Sequence, residues 1–382
     1  MKIGFDAKRA VQNNTGLGNY SRYVIEILSE YYPDNDCVLF APKKKESSRL
    51  HEILARSNTS FVFPVGFSKR LSSLWRIFGI KHDIKKQNIT LFHGLSNELP
   101  YGIEKTGVKT VVTIHDLIFL RYPEYYKPID RLIYRWKFKR ACQKADKIIA
   151  VSECTKRDII SFFHIPADKI AVVYQGCHPI FCPTVIRPIT VSTLGKYNLP
   201  PRFILSVGSI EARKNLLLIV KALNQIPENI HLVAIGKSTP YQSIVEAYAE
   251  EAGVKSRLHI FNSVLFEDLP AIYQAAEIFV YPSFFEGFGI PIIEALSCGV
   301  PVIAATGSCL EEAGGPDSIY VNPNNEMELA QKITNILNDK TLADNMIVSG
   351  KMYIERFSGK TIAEQIMQIY KLTVTPTPYG GR

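Results

Sequence analysis

Residues 278–305 read IFVYPSFFEGFGIPIIEALSCGVPVIAA, and the architecture of the protein can be worked out from this segment. Short apolar runs at Ile278–Tyr281 and Val302–Ala304 predict two buried strands. Between them, a glycine loop leads into a helix that we expect to begin near Pro291, because proline suits the first helical position. A strand, a helix and a second strand in close succession indicate a βαβ unit of a parallel sheet.

The same alternation recurs along the chain. Further strands are predicted at Ile3–Asp6, Cys37–Phe40, Phe61–Phe63, Leu91–His93, Thr110–His115, Ile148–Val151, Ala171–Tyr174, Phe203–Val207, Leu232–Ile235 and Leu258–Phe261. Helical patterns such as Tyr20–Leu28 and Ile129–Cys142 separate most of them. A Pro-rich stretch over residues 178–201 has little periodicity and is read as a linker. We therefore predict an α/β protein of two doubly wound domains, over residues 1–185 and 186–358.

Composition narrows the class of protein. The 382 residues are 46% hydrophobic and 21% charged, which is typical of a globular protein. No apolar run reaches the length of a membrane span, and Asp6, Lys8 and Arg9 interrupt any signal peptide, so we expect a cytoplasmic protein. The seven cysteines are scattered without a CxxC pair, which favours reduced thiols over a disulfide or zinc framework.

Positive charge is concentrated in the first half of the chain. Residues 1–200 contain 31 Lys and Arg against 17 Asp and Glu, although the net charge of the whole chain is only +9. This excess suggests an anionic partner, such as a lipid-phosphate acceptor or an anionic membrane, or simply a solvated basic face. Residues 69–86 mix apolar side chains with six Lys and Arg, which fits an interfacial amphipathic helix or a packed surface helix. No reader motif for nucleic acid appears, so we expect no nucleic-acid partner.

The glycine loop of the opening segment carries two carboxylates. The backbone amides around Phe288, Gly289 and Ile290 cluster at a positive helix end, which is a site for phosphate. Glu286 lies in the loop, and Glu294 is predicted in the first turn of the helix. Both could accept hydrogen bonds from sugar hydroxyls, although each alone is also explained as a surface or dipole-stabilising charge.

Glu286-x7-Glu294 in this setting resembles the signature of family 4 glycosyltransferases, the group 1 enzymes with a GT-B fold and retaining chemistry. Other segments match in order over nearly the whole chain. The resemblance implies two Rossmann-like domains facing a central cleft, a C-terminal helix over residues 359–374 that crosses back to the N-terminal domain, and a flexible tail over 375–382. It also implies that Glu286 contacts the donor sugar and Glu294 the ribose.

A second segment, SVGSIEARKNL at residues 206–216, is predicted to hold the donor phosphates. Gly208 allows a turn after a strand, and Arg213 and Lys214 can neutralise a diphosphate leaving group. Alone, the two cations could equally be a solvated surface pair. The resemblance implies that they bind the diphosphate of the donor. Many family members carry another arginine where this chain has Ser209. Arg213 and Lys214 are therefore expected to supply more of the positive charge that binds the diphosphate.

A histidine at a strand end is the third candidate. His115 follows the apolar run that begins at Thr110, and an isolated histidine there could be structural. The resemblance implies that it lies beside the donor sugar in the active site. His93 ends another strand, and we favour a structural role for it.

Two further loops complete the predicted donor site. Gly16 and Gly18 follow the first strand, and they form either a tight turn or a weak dinucleotide signal, because Ser21 takes the place of the third glycine. The resemblance implies that this loop approaches the donor phosphate and the acceptor. It also implies base contacts from Ser263 and Val264, although a glycine is usual where Asn262 stands.

The resemblance implies a retaining hexosyltransferase, and we expect it to need no metal and no cofactor. The donor would be GDP-mannose or a UDP-sugar, and the acceptor a glycan or a lipid-linked glycan in cell-surface polysaccharide synthesis. Asp34-Asn35-Asp36 has the form of a metal-binding motif but follows Pro33 in a polar turn, so we expect a solvated turn. The alternatives are another GT-B enzyme such as a nucleotide-sugar epimerase, and a basic nucleic-acid-binding module.

Overall fold

The computed structural model describes residues 1–13, 15–44, 50, 53, 55–181 and 191–375. The chain forms two compact units. The first comprises Met1–Gly176 and Ser358–Arg382, and the second comprises Cys177–Phe357.

The units divide nearer the N-terminus than the sequence suggested. The predicted boundary at residues 185 and 186 lies outside the described residues, and so does the predicted tail from residue 376 onward. The observed division falls between Gly176 and Cys177. Its cause is Phe181, which is fully buried and packs edge-on against Phe266 and Tyr273 of the second unit.

A parallel sheet forms the centre of the first unit. Within the described residues it has seven strands, in the order β3-β2-β1-β4-β5-β6-β7. They are β1 (Lys2–Asp6), β2 (Asp36–Phe40), β3 (Thr59–Val62), β4 (Leu91–Gly94), β5 (Lys109–Ile114), β6 (Lys147–Ala150) and β7 (Ile170–Val172). The five inner strands are almost entirely buried, as expected for parallel strands covered by helices on both faces. Each strand predicted in this half overlaps an observed one.

Helices cover this sheet. They are Lys8–Gln12, Gly16–Tyr31, Ser72–Leu74, Ile80–Lys86, Ile118–Arg121, Pro128–Lys144, Glu153–Phe163 and Gly359–Val374, with a π-helical turn at Trp75–Gly79. The last of these returns to the first unit from the far end of the chain and packs there with Ile362, Ile366 and Tyr370 buried.

The segment read as an interfacial helix is not one regular helix. Residues 69–86 form two short α-helical pieces joined by the π-helical turn. Trp75, Ile80 and Ile84 are buried in the core, which fits the surface helix packed by its apolar side. Leu74 and Phe78 remain half exposed.

The second unit repeats the design. Within the described residues its parallel sheet has six strands, in the order β10-β9-β8-β11-β12-β13. They are β8 (Phe203–Val207), β9 (His231–Ile235), β10 (Leu258–Phe261), β11 (Ile278–Tyr281), β12 (Val302–Ala305) and β13 (Ile319–Val321). The sequence did not predict β13, because three residues are too few to show a period.

The helices of this unit surround a core that includes the fully buried Ile219, Leu232, Ile278 and Ile303. They are Val191–Lys196, Leu216–Ala222, Tyr241–Glu251, Leu269–Ala275, Ile290–Ser297, Leu310–Gly314, Glu326–Asn338 and Lys340–Tyr353. Across the described parts of both units, none of the helices has the length and hydropathy needed to cross a lipid bilayer.

Candidate active site

The candidate site of the second unit lies at the carboxyl ends of β8 and β11. These strands are neighbours, and the order of the sheet reverses at β8, since β9 lies on its other side. Ligands of doubly wound sheets bind at such a switch point. The loop from Gly208 and the loop that holds Glu286 therefore meet at one edge of the sheet.

Arg213, Lys214 and Glu286 form an ion cluster at this edge. The Nζ of Lys214 lies 2.6 Å from Oε1 of Glu286, and a guanidinium nitrogen of Arg213 lies 2.9 Å from the same oxygen. Lys214 also donates to the hydroxyl of Tyr281 at 2.5 Å, and that hydroxyl lies 3.2 Å from the Glu286 carboxylate. Arg213 donates further to the carbonyl of Phe285. The predicted phosphate-binding cations and the predicted sugar-binding carboxylate thus contact each other directly.

This cluster keeps Glu286 ionised. The side chain is only 11% exposed, and burial alone would raise the pKa of Glu286. The charges of Lys214 and Arg213 outweigh burial and lower the pKa of Glu286 to about 2. At neutral pH the carboxylate can accept hydrogen bonds from hydroxyl groups but cannot act as a general acid.

The two cations lie in a short 3₁₀ turn, Ala212–Lys214, rather than at the start of the next helix. Asn215 follows with φ of 58° and begins the helix Leu216–Ala222. Its side-chain amide donates to the carbonyls of Pro282 and Pro323 at 3.2 and 2.7 Å, so it ties the turn to the loops after β11 and β13.

The helix expected near Pro291 begins at Ile290, after Gly289 with φ of 119°. A side chain at Gly289 would be strained by this backbone conformation. Phe288 is buried and packs edge-on against Phe357, which anchors the loop that leads into the helix.

Glu294 lies in the second turn of that helix, so the prediction of a first-turn carboxylate is wrong. Its Oε2 accepts a hydrogen bond from the hydroxyl of Tyr273 at 2.9 Å. Burial raises the pKa of Glu294 to about 7, despite this hydrogen bond. The pKa values of the two glutamates are therefore shifted in opposite directions. Cationic partners lower the pKa of Glu286, and burial raises the pKa of Glu294.

The predicted base-binding residues lie in the loop after β10. Ser263 is exposed and Val264 is half-buried. Asn262, which stands where a glycine is usual, donates to the carbonyl of Gly236 at 2.9 Å and to Gln242 at 3.1 Å. Its side chain thereby holds this loop against the loop after β9.

The glycine loop of the first unit shows two different roles for its glycines. A side-chain carbon at Gly18 would lie 1.9 Å from the carbonyl oxygen of Asn13, so close backbone approach requires glycine there. At Gly16, the first residue of its helix, no described atom would lie within 4 Å of such a carbon. Arg22 holds the turn by donating to the carbonyls of Ala10 and Asn13, both at 2.8 Å.

His115 directly follows β5 and is buried. Its Nε2 lies 2.9 Å from the carbonyl of Leu95, which can only accept, so this nitrogen carries the proton. Its Nδ1 then accepts from the side-chain amide of Gln175 at 3.1 Å. Burial lowers the pKa of His115 to about 4, so the ring is neutral at pH 7. Tyr20 packs edge-on against it at 4.6 Å between ring centroids.

The predicted site residues are divided between the two units. Gly208, Arg213, Lys214 and Glu286 meet at one edge of the second sheet, with Glu294 on the helix that follows. The first unit holds Gly16, Gly18 and His115. In the described portion of the chain, no group of three or more His, Cys, Asp or Glu is placed to hold a metal ion. The metal-free site stays a prediction.

Three partners at the site were missed by sequence reasoning. Tyr281 bonds both Lys214 and Glu286, and Tyr273 bonds Glu294. Gly236 approaches Gly208 so closely that a side-chain carbon there would lie 1.7 Å from the Gly208 carbonyl oxygen. The strand-end argument used for His115 could have found Tyr281, which ends β11.

Comparison with known proteins gives consistent matches. The family model described as "Glycosyl transferases group 1" matches residues 195–352, and the one described as "Glycosyltransferase Family 4" matches residues 20–179. O-antigen chain mannosyltransferase B of Escherichia coli is 31% identical over 288 residues, which are 74% of this chain and 74% of that protein.

Two further matches extend this picture. The serotype-specific mannosyltransferase WbdA of Escherichia coli is 30% identical over 263 residues, which are 66% of this chain but only 32% of that longer protein. Among solved structures, Anabaena Alr3699/HepE in complex with UDP-glucose has a TM-score of 0.76 and 17% identity, and the match covers 97% of this chain and 100% of that chain. At this identity the structural likeness concerns the fold alone.

Proposed function

Since the chain belongs to the group 1, family 4 glycosyltransferases and has their GT-B fold, we propose that it is a retaining hexosyltransferase that uses a nucleotide-diphosphate mannose. The two relatives described above, at 31% and 30% identity, are an O-antigen chain mannosyltransferase and a serotype-specific mannosyltransferase. GDP-mannose is therefore the first donor to test, and UDP-sugars are the second. The acceptor we propose is a glycan or a lipid-linked glycan of a cell-surface polysaccharide.

The observation that carries this proposal is the ion cluster of Lys214, Arg213 and Glu286. Two cations and a carboxylate share one edge of the sheet, next to the start of the helix Ile290–Ser297. Departure of a nucleoside diphosphate places negative charge on its phosphate oxygens, and fixed cations lower the energy of that transition state. The ionised carboxylate of Glu286 is suited to hold sugar hydroxyls in position.

We assign the remaining donor contacts to groups of the same unit. Glu294 would accept hydrogen bonds from the ribose, and Ser263 and Val264 would contact the base through their backbone. Gly208 and Gly289 would let the backbone approach the phosphates, with Phe288 and Ile290 on either side of Gly289. These assignments follow the family resemblance, and the positions at the carboxyl edge of the sheet support them.

In the first unit, we assign a positioning role to His115 and phosphate or acceptor contact to the loop of Gly16 and Gly18. Both ring nitrogens of His115 already bond protein groups, and the ring is neutral at pH 7. It would therefore shape the sugar site without transferring a proton. We expect attack on the same face from which the diphosphate leaves, because Glu286 is held in an ion cluster and is poorly suited to be a covalent nucleophile.

A ligand screen followed by product analysis tests the proposal. A thermal-shift screen of GDP-, UDP- and ADP-sugars should raise the melting temperature with one nucleotide class, because a ligand that binds the native state stabilises it. The selected donor is then incubated with polysaccharide fragments, and the anomeric configuration of the new bond is read by NMR. Inversion would contradict the retaining mechanism. Release of an altered sugar without an acceptor would identify an epimerase.

A further inference from the structure

The helix Pro128–Lys144 of the first unit carries an exposed apolar stripe. Ile129, Leu132, Ile133 and Trp136 are 67%, 69%, 43% and 58% exposed. Their spacing of three, four and seven residues from the first places all four on one face of the helix. Scattered exposed apolar residues are ordinary, but a continuous stripe on one face marks an interaction surface.

The fold of the unit does not need this stripe. The opposite face of the same helix packs inward, where Tyr134 and Phe138 contact Phe119 at 5.8 and 5.2 Å between ring centroids. Ala141 and Cys142 on that side are buried. The helix therefore has two apolar faces, one that joins the core and one that is left outside.

Basic side chains flank the exposed stripe. The helix contains six Lys and Arg and one Asp. Arg135 and Lys139 are spaced four residues apart and lie along one side of the stripe, whereas Arg131 lies toward the core-facing side with its Nε buried. Lys144, on the other side, is exposed. An apolar stripe with basic side chains on its flanks is the pattern of a helix that lies in the interface of an anionic bilayer.

Further apolar surface adjoins the stripe. Trp136 borders a groove of about 480 Å³ that Phe78 and Tyr101 also line. Phe78 and Tyr101 are half exposed, with ring centroids 5.6 Å apart. Arg140 stacks over the ring of Tyr101 at 4.4 Å, and its charge is paired with Glu104 at 3.2 Å.

We propose that this face of the Pro128–Lys144 helix, with the adjoining Phe78, is the surface by which the protein docks on an anionic lipid bilayer. The apolar stripe would enter the boundary between headgroups and acyl chains, and Arg135, Lys139 and Lys144 would contact the lipid phosphates. Residues 69–86 fitted either such a contact or a packed surface helix, and Trp75, Ile80 and Ile84 of that segment are buried in the core. The proposal goes beyond the sugar-transfer function and does not depend on it.

Vesicle binding tests the proposal with the full chain. The protein is sedimented with vesicles of phosphatidylcholine alone, or of phosphatidylcholine and phosphatidylglycerol in equal parts. We expect binding to the anionic vesicles only, and we expect added salt to weaken it. Replacing the stripe by Ile129→Gln, Leu132→Gln and Ile133→Gln should weaken binding by roughly tenfold or more. Arg135→Glu with Lys139→Glu should do the same.

The chain offers a matched control and an internal reporter. Ile244→Gln, Met327→Gln and Val348→Gln remove similarly exposed apolar residues from the second unit and should leave vesicle binding unchanged. Of the two tryptophans, Trp75 is buried and Trp136 is exposed. Anionic vesicles should therefore shift the emission of the wild type to the blue, and Trp136→Phe should abolish that shift. Melting temperatures check that every variant folds.

Three results would overturn the proposal. One is equal binding of the wild type to both kinds of vesicle, or to neither. The second is unchanged binding in the stripe variant. The third is a dimer that forms without lipid and is lost in the stripe variant, as measured by light scattering, because it would assign the stripe to a second copy of the chain.

Discussion

Lys214 and Glu286 are joined by a contact of 2.6 Å at the carboxyl edge of the second sheet, and both side chains are largely buried. Removing one partner from such a pair leaves the other charge buried without its counterion. Before the donor binds, Glu286 therefore keeps Lys214 in place. We have proposed that Glu286 holds the sugar and that Lys214 holds the phosphate. Substitutions at the two positions should then have different effects on turnover and on donor binding.

The first prediction concerns Glu286→Gln. The amide keeps the shape of the side chain but cannot hold the sugar hydroxyls or balance Lys214 and Arg213 as a carboxylate does. We expect turnover to fall roughly a hundredfold or more, because the interaction serves the transition state. Nucleoside diphosphate binding, measured by calorimetry, should survive. Unchanged turnover would remove Glu286 from the site.

The second prediction concerns Lys214→Ala. A charge-assisted hydrogen bond to phosphate contributes about 1.5–3 kcal/mol, so affinity for the nucleoside diphosphate should fall about tenfold or more. Lys340→Ala removes an exposed lysine from the same unit and should bind like the wild type. Calorimetric titration with the nucleotide chosen by the thermal-shift screen measures both. Equal affinity in all three proteins would refute the phosphate role of Lys214.

The third prediction is a pH dependence of donor binding from Glu294. Its pKa is raised to about 7 by burial, so it is protonated below that pH and ionised above it. Ribose hydroxyls bind the ionised carboxylate better, so donor affinity should increase between about pH 6 and about pH 8. In Glu294→Gln the affinity should be lower and this increase should vanish. An identical pH profile in both proteins would assign the titration to another group.

The raised pKa of Glu294 also makes the free energy of unfolding depend on pH. Stability decreases over a pH range in which donor affinity is expected to increase. An unfolded glutamate titrates near 4.5, so the folded state binds the proton of Glu294 more tightly than the unfolded state does. The contribution of Glu294 to the free energy of unfolding therefore falls as pH rises from about 4.5 to about 7. Glu286 behaves in the reverse way, since its pKa of about 2 gives stability that is lost as pH falls below about 4.5.

The fourth prediction is activity without a divalent metal. Arg213, Lys214 and the start of the helix Ile290–Ser297 can supply the positive charge that a metal would give to the leaving diphosphate. Transfer should therefore proceed at full rate in excess chelator. Loss of activity with chelator and its recovery with added magnesium or manganese would show that the prediction is wrong.

Much of the fold could be predicted because the longer strands of the two sheets each leave a local signal. β5 and β11 are short apolar runs followed by polar or glycine-rich loops, and this pattern needs no knowledge of distant contacts. The short β13 gave too little signal. The division between Gly176 and Cys177 could not be predicted, because it depends on the packing of Phe181 against residues far away in the sequence.

The candidate site was predicted less completely, for a similar reason. Motif spacing indicated Arg213, Lys214 and Glu286, but only the structure shows that the two cations contact the same carboxylate oxygen of Glu286. The environment of Glu294 depends on Tyr273, which lies on another helix. Contacts between side chains on different helices or strands do not produce a fixed spacing in the sequence, so a single sequence does not reveal them.

The last prediction concerns the return of the C-terminal helix to the first unit. The hydroxyl of Tyr370 lies 2.5 Å from Nδ1 of His93, and Nε2 of that ring lies 2.8 Å from the hydroxyl of Thr113. All of these atoms are buried, and burial lowers the pKa of His93 to about 3, so the ring stays neutral. Tyr370→Phe removes the partner of a buried nitrogen, which costs about 1–3 kcal/mol of unfolding free energy. The exposed Tyr31 provides the control, since Tyr31→Phe should leave the denaturation midpoint unchanged. A Tyr370→Phe protein as stable as the wild type would show that this hydrogen bond does not hold the helix in place.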